Sequence, residues 1–192
     1  MNIGLYGGTF NPPHLGHLIV AEQVRKSLSL DSIIFMPSYI SPHKQQGESD
    51  LAEHRLAMTK LSIAGNPFFS CSDLEIRRTE TSYSLHTLTE LQQQYPMDKI
   101  HLIIGMDNYL TFHLWKEPGK ILDMATLVVM NRPGYPPQVN QLVGTRNTIF
   151  IDVPDIAISS SQIRNLVKKG ESIRYLVPTA VEDYIQSNRI FL

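Results

Sequence analysis

The chain has 192 residues, of which 42% are hydrophobic, enough for one compact unit with a substantial core, and its formal net charge of −1 excludes a generally basic nucleic-acid surface. Its one cysteine, Cys71, excludes an internal disulfide and a thiolate cluster for a structural metal. The N-terminus has no basic-then-apolar leader and no apolar run approaches the length of a membrane span, so the expectation is a soluble cytoplasmic protein, with any anion site a local feature.

In chain order, Ile3, Gly4, Leu5 and Tyr6 form a run short and dense enough for a buried parallel strand, and Leu15, Leu18, Ile19, Ala21, Val24 and Leu28 recur after it at helical spacing. Between them lies Gly7-Gly8-Thr9-Phe10-Asn11-Pro12-Pro13-His14-Leu15-Gly16-His17, a strand-to-helix turn. The paired glycines allow a sharp turn and close approach to a ligand, and the paired prolines stiffen the way into the helix. His14 and His17 project from one side of the first helical turn, where free N–H groups and the positive end of the dipole favour an anion, and Gly16 leaves room between them. The pattern points to phosphate binding, yet its glycine spacing and the missing Lys-Ser/Thr pair fit neither a Walker A loop nor a GxGxxG fingerprint.

Ser32 to Pro37 is a second buried strand stopped by proline, which makes a right-handed βαβ unit and a parallel sheet. Residues 38–47, with Pro42, His43 and Lys44, form a polar surface connection. Over residues 51–64, Leu51, Arg55, Met58 and Leu61 keep helical spacing until Gly65-Asn66-Pro67 ends the helix. Residues 68–71 are a third strand, with Cys71 a small buried apolar residue, and residues 73–81 are charged and irregular, with Arg77 and Arg78 solvated. Ser82-Tyr83-Ser84-Leu85-His86-Thr87-Leu88 opens a helix that a serine or threonine can cap. After a buried strand at 99–104, Asp107 follows Gly105 where a carboxylate either accepts ribose hydroxyls or caps the next helix.

Trp115, the only tryptophan, sits near Phe112 and Leu114 in a core-like setting. Residues 126–130 are a β-branched strand, Asn131-Arg132-Pro133-Gly134 turns out of it, 135–145 is a loop and 148–151 the last strand. Ile158-Ser159-Ser160-Ser161-Gln162-Ile163-Arg164 fits a capping box from Ser159 to Gln162, with Arg164 one turn in as a cation able to bind phosphate oxygens at two points. A final helix follows Tyr175-Leu176-Val177-Pro178.

GGTFNPPHLGH resembles the N-terminal signature of the HxGH nucleotidylyltransferases, in the form found among nicotinate-nucleotide adenylyltransferases, and the likeness runs in order along essentially the whole chain. It implies that Gly7, Gly8, Thr9, Phe10 and Gly16 bind ATP and that His14 and His17 contact its phosphates. Pro42-His43-Lys44 resembles the family's PHK element, which implies that Lys44 lies in a basic loop beside the substrate phosphates. Residues 82–88 resemble SYTxDTL, whose turn holds a pyridine carboxylate through backbone N–H groups and a hydroxyl, here Tyr83, Ser84 and Leu85. Ser84 replaces the usual threonine there, and His86 stands where aspartate is common. Gly105 and Asp107 match a GxD element on the ribose side, and Arg132 the arginine of RPG near the adenosine. Trp115 matches a tryptophan that stacks on the pyridine ring, with Lys116 where tyrosine often follows. Ile158, Ser159, Ser160 and Arg164 match ISSSxIR, which grips the outer phosphates of ATP.

The resemblance implies a Rossmann-like doubly wound α/β fold, residues 1–192 forming one nucleotidylyltransferase domain, with the site at the carboxyl ends of the first and fourth strands. The implied reaction passes AMP from ATP to nicotinate mononucleotide, giving pyrophosphate and the dinucleotide precursor of NAD, with His14, His17, Lys44 and Arg164 as the catalytic set. Mg²⁺ would be held mainly by ATP phosphates, since no all-protein metal cage is visible in the sequence. The partners are the two nucleotides, with no nucleic acid or membrane, and homo-oligomerisation is left open. Two other readings stay open: transfer of an adenylyl or cytidylyl group to another phosphate acceptor, and a nucleotide-binding module without turnover. The presence of both histidines and Arg164 argues against the second.

Overall fold

The computed structural model describes residues 1–41 and 52–192. In it β1 (Asn2–Gly8), β2 (Ser32–Pro37), β3 (Phe69–Cys71), β4 (Lys99–Gly105), β5 (Thr126–Met130) and β6 (Thr148–Ile151) pair in parallel, in the order β3-β2-β1-β4-β5-β6. This is the doubly wound α/β arrangement read from the sequence. Strand order reverses between β1 and β4, which opens a crevice beyond their carboxyl ends. The central strands are apolar almost throughout because helices cover both faces, as parallel sheets require.

The alternation of β1 divides the core. Ile3 and Leu5 face one layer with α4 (Ser84–Gln94), α5 (Met106–Leu110) and α6 (Pro118–Met124), through Leu85, Leu88, Tyr109, Phe112 and Ile121. Tyr6 faces the other layer, where Ala21 and Val24 of α1 (Leu15–Ser27) and Ile63 of α2 (Ala52–Ile63) pack against Phe10 and Phe35. Outside α2, Met58 joins α7 (Ser160–Lys168) to α8 (Thr179–Ser187) through Ile163, Val181 and Ile185. Among the described residues no helix is long and apolar enough to cross a membrane.

Two local expectations are corrected. Residues 73–81 are not irregular: they hold the short helix α3 (Leu74–Arg78), whose single turn is too brief to leave a periodic signal. Nor is Arg78 merely solvated. It donates to Glu90 at 2.8 Å and to the Thr87 hydroxyl at 2.7 Å, and that hydroxyl donates to buried Glu75 at 2.5 Å. Burial raises the Glu75 carboxyl above its ordinary value, against the lowering effect of the Thr87 and Ser82 hydroxyls and Arg78. The second correction concerns α4, which no serine or threonine caps. Its N-cap is Tyr83, because the Ser82 hydroxyl is turned toward the end of β2, where it accepts from the Tyr39 N–H at 2.9 Å.

Candidate active site

The loop after β1 lies at the mouth of the crevice. Phe10 takes a left-handed backbone (φ 49°), and its ring is buried between Tyr6 and Phe35, edge-on to His17 at 5.1 Å. The Phe10 ring is therefore a core group, and only its backbone faces the crevice side of the loop. Gly8 is fixed by the same ring, since a Cβ there would sit 3.0 Å from it, whereas a Cβ at Gly7 would meet open space. The His14 and His17 rings stack with centroids 3.7 Å apart, and a Cβ on Gly16 would press within 3.0 Å of His14 Nδ1.

The histidines come together as expected, but as neutral groups. Burial lowers the His14 imidazole to about 4, with the Arg132 charge adding to the effect. Burial lowers His17 well below its ordinary value, helped by His14 and then Arg132. His17 Nδ1 accepts from the His14 backbone N–H at 3.2 Å, which leaves its ring proton on Nε2 as a donor. His14 Nδ1, Asn11 Oδ1 and Ser38 Oγ are buried without a hydrogen-bond partner among the described residues. Such atoms are rare unless a ligand or water completes them.

The ISSS segment grips this loop directly. Ser160 donates to the Pro12 carbonyl at 2.8 Å, and Arg164 donates from Nη1 to the Asn11 carbonyl at 2.8 Å. The Ser159 hydroxyl caps α7 by accepting from the Gln162 N–H at 3.2 Å, while Ile158 packs on the layer between α2 and α8. The N-termini of α1 and α7 thus converge. The Leu176 carbonyl takes the Leu15 N–H at 2.9 Å, but the N–H groups of Gly16, Ser160 and Ser161 have no acceptor among the described residues.

Arg55 is the main residue that sequence reasoning left in the core stripe. It is 0% exposed, and its guanidinium donates to the Thr9 carbonyl at 2.8 Å and the Tyr39 carbonyl at 2.9 Å, tying the first loop to the end of β2. A charge at a helical core position was the signal that could have found it. From Tyr39 the connection passes through Ser82, whose N–H donates to the Ile40 carbonyl at 2.9 Å, into the turn that opens α4. There the N–H groups of Ser84 and Leu85 have no acceptor among the described residues, while the Leu85 side chain is buried.

On the β4 side, Arg132 donates to Asp107 Oδ2 at 2.7 Å, and Asp107 Oδ1 is buried with no hydrogen bond among the described residues. Asp107 does not cap α5, whose N-cap is Gly105, and a Cβ on Gly105 would sit 2.6 Å from Asp107 Oδ1. Trp115 is half-buried against Phe112, with ring centroids 5.0 Å apart. Lys44 and its neighbours Pro42 and His43 lie outside the described residues. Among the described residues no three His, Cys, Asp or Glu side chains come together as a metal site.

The profile of the cytidylyltransferase-like family matches residues 5–166. A probable nicotinate-nucleotide adenylyltransferase of Geotalea daltonii is 40% identical, over all of this chain and 98% of that relative. Another so described, from Syntrophotalea carbinolica, is 42% identical over all of this chain and 97% of the relative. This chain belongs to the cytidylyltransferase-like family, among the nicotinate-nucleotide adenylyltransferases. Solved structures share its fold: a Plasmodium falciparum nicotinic acid mononucleotide adenylyltransferase complexed with NaAD gives a TM-score of 0.80 at 20% identity, covering 99% of this chain and 97% of that one. In family terms, Arg55 and Ser38 stand outside the quoted motifs, which is why motif reading passed over them.

Proposed function

We propose that this protein transfers AMP from ATP to nicotinate mononucleotide, releasing pyrophosphate and forming nicotinate adenine dinucleotide, with residues 1–192 acting as one domain. The observation that carries the reading is the convergence of α1 and α7 on one loop, where Ser160 and Arg164 hold the Pro12 and Asn11 carbonyls beside the stacked histidines. Free N–H groups at two helix ends suit a polyphosphate better than any neutral ligand.

A 5′-phosphate oxygen of the mononucleotide attacks the α-phosphorus of ATP in line. A new P–O bond forms as the bond from the α-phosphorus to the bridging oxygen breaks, and that electron pair leaves with pyrophosphate. The nucleophile is already an anion, so no general base is needed, and the work is alignment and charge stabilisation. His17 Nε2–H is the donor suited to an α-phosphate oxygen, and burial keeps it rigid. As the phosphates arrive, their negative charge raises the proton affinity of both imidazoles, so neutral donors gain cationic character where it is useful. Arg164 and the N–H groups of Ser160 and Ser161 face the leaving pyrophosphate, and by the family resemblance Lys44 adds a charge beside the substrate phosphates. Gly7, Gly8, Thr9, Phe10 and Gly16 line the nucleotide by backbone, and Ile158 and Ser159 shape the α7 edge. Asp107 Oδ1 accepts a ribose hydroxyl, which would complete its hydrogen bonding, and Arg132 lies on the adenosine side.

Tyr83, Ser84, Leu85 and Trp115 take the nicotinate ring. A Mg²⁺ ion fits such a site only through phosphate oxygens and water, given the lack of a carboxylate cluster among the described residues, and when bound it supplies charge neutralisation. The test is pyrophosphate release from ATP with a panel of phosphate acceptors. The expected result is turnover with nicotinate mononucleotide and recovery of the dinucleotide. Turnover only with another acceptor, such as phosphopantetheine, would reassign the substrate, and no turnover with any acceptor would make the protein a binding module.

A further inference from the structure

The two positions at which this sequence departs most from its family pattern, His86 and Lys116, touch. Lys116 Nζ lies 3.1 Å from His86 Nε2 and 4.8 Å from the centroid of the Tyr83 ring, and Tyr83 and His86 meet edge to face at 5.7 Å. Two nitrogens at that separation need one acceptor, so the imidazole offers its Nε2 lone pair and the ammonium donates. The ring face adds a cation–π attraction. Among the described residues no carboxylate forms an ion pair with Lys116; the adjacent Glu117 is engaged first by Lys120 and only secondarily feels the Lys116 charge. The result is a positive charge held in place and only partly offset, by a carboxylate that is itself paired with Lys120. It stands beside the turn whose Ser84 and Leu85 N–H groups are free, and next in sequence to Trp115.

We propose that Lys116, positioned by His86 and Tyr83, is a specificity-determining cation that reads the negative charge of the pyridine carboxylate and so favours the acid mononucleotide over the amide. This rests on the pyridine pocket proposed above and adds a second device to it. The free N–H groups of the turn satisfy acceptors by hydrogen bonding, whereas the ammonium distinguishes a full charge from a neutral amide. His86 is the residue that makes this workable. Aspartate at that position would bring a full negative charge against the ammonium, while an imidazole that accepts through Nε2 anchors it and adds no negative charge. Lys116 is exposed, so the gain is that of a solvent-facing pair, about twofold to fivefold, and salt must weaken it.

The experiment reads kcat/KM for nicotinate and nicotinamide mononucleotides at saturating ATP, and their binding by quenching of the sole tryptophan, Trp115. It uses wild type, Lys116→Met, Lys116→Arg and His86→Asp at low and high ionic strength. In wild type the acid-over-amide ratio should fall as salt rises. Lys116→Met should lower the ratio about twofold to fivefold and remove its salt dependence, through KM and the binding constant rather than kcat, and Lys116→Arg should restore it. His86→Asp should lower the ratio as Lys116→Met does although the lysine is still there. If Trp115 responds to the acid but the ratio and its salt dependence are the same in wild type and Lys116→Met, the proposal is overturned while the pocket stands. A Trp115 signal that responds to neither mononucleotide, together with no turnover, would overturn the pocket and the proposal together.

Discussion

At the end of the crevice proposed for the phosphates the backbone is held by inward-facing donors, Arg55 on Thr9, Ser160 on Pro12 and Arg164 on Asn11, around a buried imidazole, His14, stacked on a half-buried one, His17. At the end proposed for the pyridine ring there are two N–H groups without an acceptor among the described residues, a half-buried indole and an exposed ammonium. The first region is ordered by folding itself, so the loop carrying the histidines is held in place before any phosphate arrives. The second is more exposed to solvent, and on the proposal above it chooses the substrate and is salt-sensitive. Substitutions at one end should therefore act on stability and turnover, and at the other on the ratio between substrates.

The largest effect should come from Arg55→Met, which keeps the length of the side chain and leaves the Thr9 and Tyr39 carbonyls without their donor. Both bonds are part-buried, so losing the shared donor should cost about 1–3 kcal/mol in total, read by urea unfolding. A loss under about 1 kcal/mol in total would mean that the clamp does not hold the loop.

His17→Ala should act on turnover instead. Removing one donor aimed at developing charge costs on the order of 10²–10³ in rate, while ATP should still bind measurably in an equilibrium assay. Near-normal turnover in a folded variant would break the assignment of chemistry to this end.

Acid should loosen the phosphate end in particular. The unfolded chain takes up a proton on His14 near its ordinary value of 6.5, while the folded protein resists until about 4, so the unfolded state binds more protons in that interval. Stability contributed by the neutral form is present above pH 6.5, falls as the pH drops toward 4 and changes no further below it. At pH 5 the loss from His14 alone is roughly 2 kcal/mol, and His17 acts in the same direction. Unfolding at pH 7 and pH 5 should show a steeper decline for wild type than for His14→Gln. Parallel declines would contradict the buried, neutral pair.

Legibility in the sequence follows the same division. Residues 32–37 and 126–130 were readable as strands to the residue, because continuous apolar runs between turn signals leave little choice of boundary. The helix starts at His14 and Ser159 were readable because their signals are local to one turn each. What sequence hid depends on contacts made across the fold. The charge state of His14 and His17 is set by burial, and Arg55 acts on carbonyls 46 and 16 residues away. The Ser82 hydroxyl bonds to Tyr39, 43 residues away, which undoes the expected cap and leaves the first α4 N–H groups without a side-chain acceptor among the described residues. The meeting of His86 and Lys116 joins positions 30 residues apart, and no periodicity predicts it.

The most direct test of the division between the two ends is the preference of the wild-type enzyme for acid over amide. The carboxylate offers acceptors alone, whereas the amide sets its own donors against the Ser84 and Leu85 N–H groups. A mismatch of about 1–3 kcal/mol for each group left unpaired corresponds to a preference of tenfold to several hundredfold for nicotinate mononucleotide. The measurement is kcat/KM for both mononucleotides at saturating ATP. A ratio in that range is the predicted result; equal values, or a preference for the amide, would contradict the pyridine pocket as described and leave only the phosphate end in place.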